Sequence, residues 1–442
     1  MSDIGYGLAV YLERDNFVDQ IGREQTFHLK LHNYSKQGIS AVFCFQPPLG
    51  VEPCGRRDIW LDCLPSEQTA EIPLLYTFNQ GGRHQFWGWI KGKQDAALWK
   101  ESVFLSGSGF YSGDTHTHST YSDGKGMLAE NRDSMLDKGH SFLYSTDHNT
   151  MGHEKDILDY SRRDEAKSFL HIAGWEFTSQ YGHALAYGVL NPSDPKRISR
   201  RGGLAEWQDF VDEMQGYGGN VFLAHPYEAP EYEFGDEILH NIQRIIGLEV
   251  WNGYNHHALD DQNQKAFRLW DRLNMAGKGR YIGNAVSDAH TVLKHGTPFI
   301  KGYLAELNTH EVHNMLKQGS FFGSNGPEIA FFIDNKGMGD VCVVAQRKMV
   351  FAQIRVFDPL GGLERIALLC GKIGGKSIQE VFHVLPDGEA ERTLWVKDWY
   401  FHVEPGEFYR LEAVSKMGVA SYNKELKTQE KGFAFSNPIW VE

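Results

Sequence analysis

Paired thiols are the first thing missing from this chain. Its 442 residues hold five cysteines, Cys44, Cys54, Cys63, Cys342 and Cys370, an odd number with no Cys-x-x-Cys spacing. That excludes a disulfide framework and a zinc site built on thiolates. No uninterrupted apolar run reaches the ~18 residues of a membrane-spanning helix. The first residues, Met1-Ser2-Asp3-Ile4-Gly5, lack the basic start and apolar stretch of a secretory signal. A cytoplasmic protein with no membrane partner is expected. Positive charge is also short: 44 Lys and Arg against 57 Asp and Glu leave −13. Such a surface repels the phosphate backbone of long nucleic acid, so a small ligand is the expected partner.

Three nucleotide and hydrolase motifs are absent too. Gly375-Lys376-Ser377 would end a phosphate-binding loop only with Gly at position 370, where Cys370 stands. Gly107-Ser108-Gly109 lacks the third glycine of a dinucleotide fingerprint, and no Gly-x-Ser-x-Gly elbow occurs. There is no fixed-period repeat and no low-complexity run.

What is present is enough apolar material for about three domains at roughly 150 residues each, with 41% hydrophobic and 13% aromatic residues. Over 1–110, Phe27, Leu29 and Leu31 alternate with His28, Lys30 and His32, which predicts a small antiparallel β-domain of the sandwich kind. From 111 to 327 short apolar runs alternate with helical stretches, the signature of βα units around a parallel sheet. The clearest helix is expected over 258–276, where Ala266, Leu269, Trp270 and Leu273 form a stripe and Gly277 supplies the stop. Strands are expected at 141–145, 168–173, 184–190, 220–224, 247–251, 281–286 and 302–307, a number of units that suits a barrel. Over 328–442 period-two patterning returns, with Val350, Ala352, Ile354 and Val356 on one face, which predicts a second β-domain.

Histidine is the unusual residue. Thirteen of the 20 lie between His116 and His295. Nearly every expected central strand ends on a metal-binding residue type: His116, His118 and Asp123; Asp147 and His148; Glu176; His183; His225; Asp288 and His290. A parallel βα barrel opens all its C-terminal strand ends onto one face, so these residues would converge. His116 with His118, and Asp288 with His290, are spaced so that both side chains of each pair face the same way on a strand. Nitrogen and carboxylate donors without thiolates suit Zn, Mn or Fe, and the set is too large for one ion. Two or three divalent metal ions are therefore expected. Such sites commonly make a hydroxide nucleophilic near neutral pH, which is hydrolytic chemistry, most naturally on a phosphate ester.

The segments Asp114-Thr115-His116-Thr117-His118-Ser119, Ser122-Asp123-Gly124, Ser145-Thr146-Asp147-His148-Asn149, Gly174-Trp175-Glu176, Gly182-His183, Ala224-His225-Pro226 and Ser287-Asp288-Ala289-His290 resemble, in order and spacing, the polymerase and histidinol phosphatase (PHP) superfamily. Gly323-Ser324-Asn325-Gly326-Pro327 and Ser436-Asn437-Pro438-Ile439 are similar to its carbaryl-hydrolase-type (CehA/McbA-like) metallohydrolase branch. The resemblance implies an α/β fold, a distorted (β/α)7 TIM-like PHP barrel flanked by β-sandwich-like domains, with a trinuclear centre. It implies that His116, His118 and Asp288 hold one metal, that His183 and His225 hold a second, and that Glu176 bridges the two. Asp123, His148 and His290 would hold the third; some members have His where this chain has Asp123. Asp147 is expected to orient a neighbouring ligand, and Asp147, His148 and Glu176 form the expected catalytic group.

For the substrate, the stretch 191–202 carries Lys196, Arg197, Arg200 and Arg201. Arg200 and Arg201 are the expected phosphate clamp, since the guanidinium fork matches phosphate oxygens. Asn149, Asn252 and Asn325 are further candidates for bonds to substrate, although turn chemistry accounts for each equally well. His256 and His257 read as loop residues, and His295 as a candidate proton donor to the leaving group. The leading expectation is a phosphoesterase for a small mono- or diester. The alternative is a carbamate, amide or carboxylic ester hydrolase on the same metals. The flanking β-domains have three open roles: shaping the site mouth, forming a homo-oligomer, or recognising a larger partner.

Overall fold

A computed structural model of the chain describes residues 2–15, 17–92, 98–161, 167–189, 203–227, 234–254, 257–418 and 430–442. The chain divides into two compact units, Met1–Phe110 with Ala305–Leu307, and Tyr111–Leu304 with Asn308–Glu442.

In the first unit, Glu24–Asn33 lies between Leu8–Asp15 and Thr69–Phe78, and a second antiparallel sheet runs Arg57–Leu64, Ile39–Gln46, Gly81–Ile90, Leu98–Leu105. Period two decides which side chains go inward: Phe27, Leu29 and Leu31 are buried while His28, Lys30 and His32 face out. The two sheets meet through aromatic rings, Tyr76 of one lying 5.6 Å from Phe86 of the other. No helix occurs among its described residues. On the outer face His28 Nε2 lies 2.7 Å from Asp15 and its Nδ1 2.8 Å from Glu71.

The second unit is mixed α/β, rich in sheet and short of helix. Its strands Gly109–Asp114, Phe142–Ser145, Leu170–Ser179, Gly182–Tyr187, Asn220–Ala224, Gly247–Asn252, Ile282–Val286 and Phe299–Leu304 pair in that order, and the last pairs back to the first, so the pairings close on themselves. The strict βα alternation expected over this region is broken between Leu170–Ser179 and Gly182–Tyr187, and only the single 3-10 turn Val292–Lys294 links Ile282–Val286 to Phe299–Leu304. Gly182–Tyr187 follows Leu170–Ser179 as a hairpin and runs antiparallel to both neighbours. The reason is length: only Gln180 and Tyr181 connect the two strands, and a parallel return needs a crossover of a dozen residues or so.

The helix Asp261–Met275 forms where the stripe predicts it, burying Ala266, Leu269, Trp270 and Leu273, and Gly277 follows it at φ +68°. Arg410, on the strand Glu407–Ser415, reaches the outer end of this helix with a bidentate pair to Asp271 at 3.0 and 2.9 Å. Beyond it, Lys348–Phe357 pairs with Glu328–Ile333 and Leu394–Val403, and buries Val350, Ala352, Ile354 and Val356 as the alternation requires.

Two sequence motifs find a structural use here. Asn437 mimics a strand neighbour, accepting from Gly283 N at 2.8 Å and donating to Gly283 O at 3.2 Å. Asn325 does the same for Phe433 N at 2.7 Å and Lys431 O at 3.1 Å. Asn325 spends its amide on backbone and is fully buried.

Candidate metal centre

Three backbone bridges bring the expected ligands together. Thr117 pairs in parallel with Ala289, which sets His116 and His118 beside Asp288 and His290. His148 pairs with Glu176. His183 stands opposite Ala224 in the antiparallel register, next to His225. Because its strand runs backwards, His183 reaches the common face from a strand beginning, whereas its neighbours do so from strand ends.

Glu176 sits at the middle. Its Oε1 lies 3.0 Å from His183 Nδ1 and 3.1 Å from His225 Nε2. Its Oε2 lies 2.7 Å from His148 Nδ1, 3.3 Å from His116 Nε2 and 3.4 Å from His118 Nε2. Asp288 Oδ1 is 3.0 Å from His118 Nε2 and 3.4 Å from His116 Nε2. Toward the opening, Asp123 Oδ1 is 3.2 Å from His290 Nε2, 3.6 Å from His148 Nε2 and 3.8 Å from His118 Nδ1. Three sets of donor atoms each fall within 4.8 Å of one another: His116, His118 and Asp288; His148, Glu176 and His183; His118, Asp123, His148 and His290.

The donor chemistry fits divalent cations. His116 Nε2 and His118 Nε2 lie 3.1 Å apart and face the same carboxylates, an arrangement of lone pairs with more acceptors than the available protons satisfy. His118 Nδ1 is buried without a hydrogen-bond partner. All donors are imidazole or carboxylate, the set that suits Zn, Mn or Fe.

The electrostatics keep both deep carboxylates ionised. Burial alone would raise Glu176, but His116, His148 and His183 outweigh it and hold the carboxyl well below the usual range. Asp288 is likewise held well below, burial being outweighed by His116 and His118. Burial works to lower His116, yet Asp288, Glu249 and Glu176 raise it well above the ordinary imidazole value. Three residues at the strand ends take left-handed backbone: Asn149 at φ +50°, His225 at +24° and Asp288 at +48°. Strain of this kind concentrates at functional sites.

Asp147 touches the turn rather than an imidazole ligand. It accepts from Ser119 N at 2.8 Å, Ser119 Oγ at 2.7 Å and Ser122 Oγ at 2.7 Å, and lies 3.3 Å from His153. It therefore pins the segment that carries Asp123. Asn149 braces its loop to the strand end through Thr178 O and Thr178 N, both at 3.0 Å. Asn252 donates to Asp288 Oδ2 at 3.1 Å and to Glu249 at 3.0 Å. His257 pairs with Glu430 at 3.0 Å. His295 is fully buried, burial pulls its pKa down to about 3, and its Nδ1 lies 3.3 Å from Val292 O. Arg200, Arg201, Lys196, Arg197 and His256 lie outside the described residues.

One residue escapes the sequence reading. Glu249 is 1% exposed in the middle of Gly247–Asn252 and accepts from His116 Nδ1 at 2.7 Å. The signal was available: Glu249 is the single charge in an otherwise apolar strand run, Gly247-Leu248-Glu249-Val250-Trp251, and a buried charge needs partners.

No family profile matches the chain, and no curated protein matches it in sequence. Among solved structures it is similar to a two-domain protein from Bacteroides vulgatus containing a predicted PHP-like metal-dependent phosphoesterase, at 15% identity over 73% of this chain and 94% of that one, with a TM-score of 0.40. It is also similar to an amidohydrolase from Chromobacterium violaceum with bound sulfate and no metal, at 18% identity over 40% and 87% of the two chains, with a TM-score of 0.30.

Proposed function

We propose that this chain is a metal-dependent hydrolase, and specifically a phosphoesterase for a small phosphate mono- or diester. The observation that supports the reading is the convergence of six imidazoles and three carboxylates, with three overlapping donor sets, at one end of the closed strand pairings. His116, His118 and Asp288 would hold one divalent ion, His183 and His225 a second, with Glu176 shared between the two sets, and Asp123, His148 and His290 a third. Bound cations at such a site supply Lewis-acid polarisation of an ester oxygen and a lowered pKa for water.

The chain's own groups do the rest. Glu176, kept ionised by its histidines, spans both deep positions with its two oxygens. His148 Nδ1 lies 2.5 Å from Thr178 Oγ1 and 2.7 Å from Glu176, which fixes its ring while Nε2 faces Asp123. Asp147 sets the height of the Asp123 turn. The preference for phosphate rests on the sequence, where Lys196, Arg197, Arg200 and Arg201 follow an expected strand, with Arg200 and Arg201 as the phosphate clamp.

The test is the bond that is cut. Protein reconstituted with Mn²⁺ is assayed side by side on p-nitrophenyl phosphate, bis-p-nitrophenyl phosphate and a neutral naphthyl carbamate. Turnover of a phosphate alone is the expected result, and the preferred one tells monoester from diester. Turnover of the carbamate alone keeps the metals and overturns the substrate.

A further inference from the structure

Glu249 is a fully buried carboxylate at this centre whose oxygens are both spent on donors other than ligating nitrogen lone pairs. Its Oε1 accepts from His116 Nδ1 at 2.7 Å. Its Oε2 accepts from the backbone N–H of His225 at 2.8 Å and from Asn252 Nδ2 at 3.0 Å. Asn252 in turn donates to Asp288 Oδ2 at 3.1 Å. One side chain thus touches or tethers His116, His225 and Asp288, which come from three different strand ends. His225 also holds a left-handed backbone at φ +24°, and its N–H is fixed in that conformation by Glu249.

Resting on the metal-hydrolase reading, we infer that Glu249 is the positioning residue of the deep site, holding His116 in the Nδ1–H tautomer so that Nε2 presents a lone pair toward Asp288 and Glu176. A carboxylate only accepts, so the proton it binds must sit on Nδ1. The other nitrogen is then free to ligate.

The geometry also says what an amide does here. On the Oε2 side stand two donors that do not turn round. One is a backbone N–H. The other is the Asn252 amide, whose Oδ1 is occupied by Tyr254 N at 2.9 Å, which leaves Nδ2 as the end facing Glu249. In Glu249→Gln the new oxygen must face those two donors, so the new NH₂ faces His116 Nδ1. That nitrogen becomes the acceptor and the ring proton moves to Nε2, where it blocks ligation. A substitution that keeps size and shape is therefore expected to act as a tautomer reversal, the logic by which an amide in place of the triad carboxylate misorients a catalytic histidine.

The experiment titrates Zn²⁺ into the full-length, metal-stripped chain by calorimetry and reads count and affinity, with no turnover needed. Loss of such an orienting carboxylate typically weakens metal binding about 10–100-fold, and that drop is expected at the tightest position in Glu249→Gln, with binding at the Asp123, His148 and His290 position retained. Wild-type affinity and count in Glu249→Gln overturn the inference and leave the metal centre standing. A wild-type chain that takes up no Zn²⁺ overturns the metal centre itself, and the inference with it. Should Glu249→Gln not fold, Glu249→Ala decides. A small hollow lined by Glu249, Tyr227, Asn252 and Gln262 adjoins the side chain, and truncation to Ala adds the volume of the lost carboxylate, which formate can fill. Formate-dependent recovery of Zn²⁺ affinity in Glu249→Ala supports the role, and a loss that formate leaves unchanged overturns it.

Discussion

His28 and His116 both have a carboxylate against each ring nitrogen, and both are raised above the ordinary imidazole pKa. The causes differ. For His28 the hydrogen bond to Asp15 is the largest cause, on a side chain 22% exposed whose carboxylate partners are 59% and 50% exposed. For His116 burial is the largest influence and works against the shift, while Asp288, Glu249 and Glu176 overcome it, all with side chains 5% exposed or less. The carboxylates of His28 lie at opposite edges of its ring and share no point in space. At His116 one edge is tied off by Glu249, and the other aims at atoms that His118, Glu176 and Asp288 also face. A histidine among carboxylates is thus an ion pair on a surface and, on the proposed reading, a metal donor set in a pocket. Convergence and exclusion of water make the difference.

The comparison breaks most sharply at Glu176. Glu176→Ala removes the carboxylate whose oxygens lie nearest the imidazoles of both deep sets, and metal content by mass spectrometry should fall together with hydrolysis. The rate should drop by roughly a thousandfold, about 4 kcal/mol of barrier. Full metal and full rate in this variant would end the proposed centre.

A smaller effect is expected at the rim, where the site most resembles the outer face of the first unit. Asp123 is 57% exposed, a value like the 59% of Asp15, and it is steadied by the turn that Asp147 grips. Asp147→Asn should lower affinity at that position about tenfold, or about 1.4 kcal/mol, and leave the deep positions unchanged in a stepwise Mn²⁺ titration.

Acidity separates the two regions next. In the metal-free chain Glu176 and Asp288 are depressed below their reference values of 4.5 and 3.8. Their stabilisation is present above those values and is lost as pH falls through the lowered ones. His116 is raised above 6.5, so its contribution is complete below 6.5 and is lost as pH rises through the raised value. The thermal midpoint of the metal-free chain should therefore fall on the alkaline side as His116 loses its proton, and also below 6.5, where His171 and His295, held down to about 3 by burial, bind protons only in the unfolded chain. His116→Gln should flatten the alkaline fall, and an unchanged alkaline limb would remove His116 as its source.

The smallest effect belongs to His28→Gln. Metal binding should be untouched. The midpoint should drop within about 2 °C below pH 6.5, where the raised imidazole of the wild type contributes in full. The drop should vanish as pH climbs through that raised value. A change in metal count here would mean that the two regions are not independent.

Much of the cluster was legible because its imidazoles and carboxylates lie at the ends of apolar runs, where a strand must stop and a side chain faces the mouth. His116, His118, Asp288 and His290 announce themselves by spacing alone. The direction of Gly182–Tyr187 was not legible as such, since an apolar strand carries no arrow; the two-residue link was the only clue. Glu249 was missed because a strand interior reads as core and its partners are 133 and 24 residues away in sequence. How Asp147 acts was not legible, because its oxygens accept from two serines of the turn that carries Asp123, a contact visible only in three dimensions.

The hairpin Leu170–Ser179 and Gly182–Tyr187 has a consequence for the order of assembly. Glu176 and His183 are seven residues apart and meet through a two-residue turn, a contact that costs little loop entropy and forms on the microsecond scale. His118 and Asp288 are 170 apart and meet only when the strand pairings close. During folding the bridging carboxylate therefore has one histidine partner early and the rest at the end. On the proposed metal reading, a cation supplied in the refolding buffer would act on the last step, at the closing of the ring.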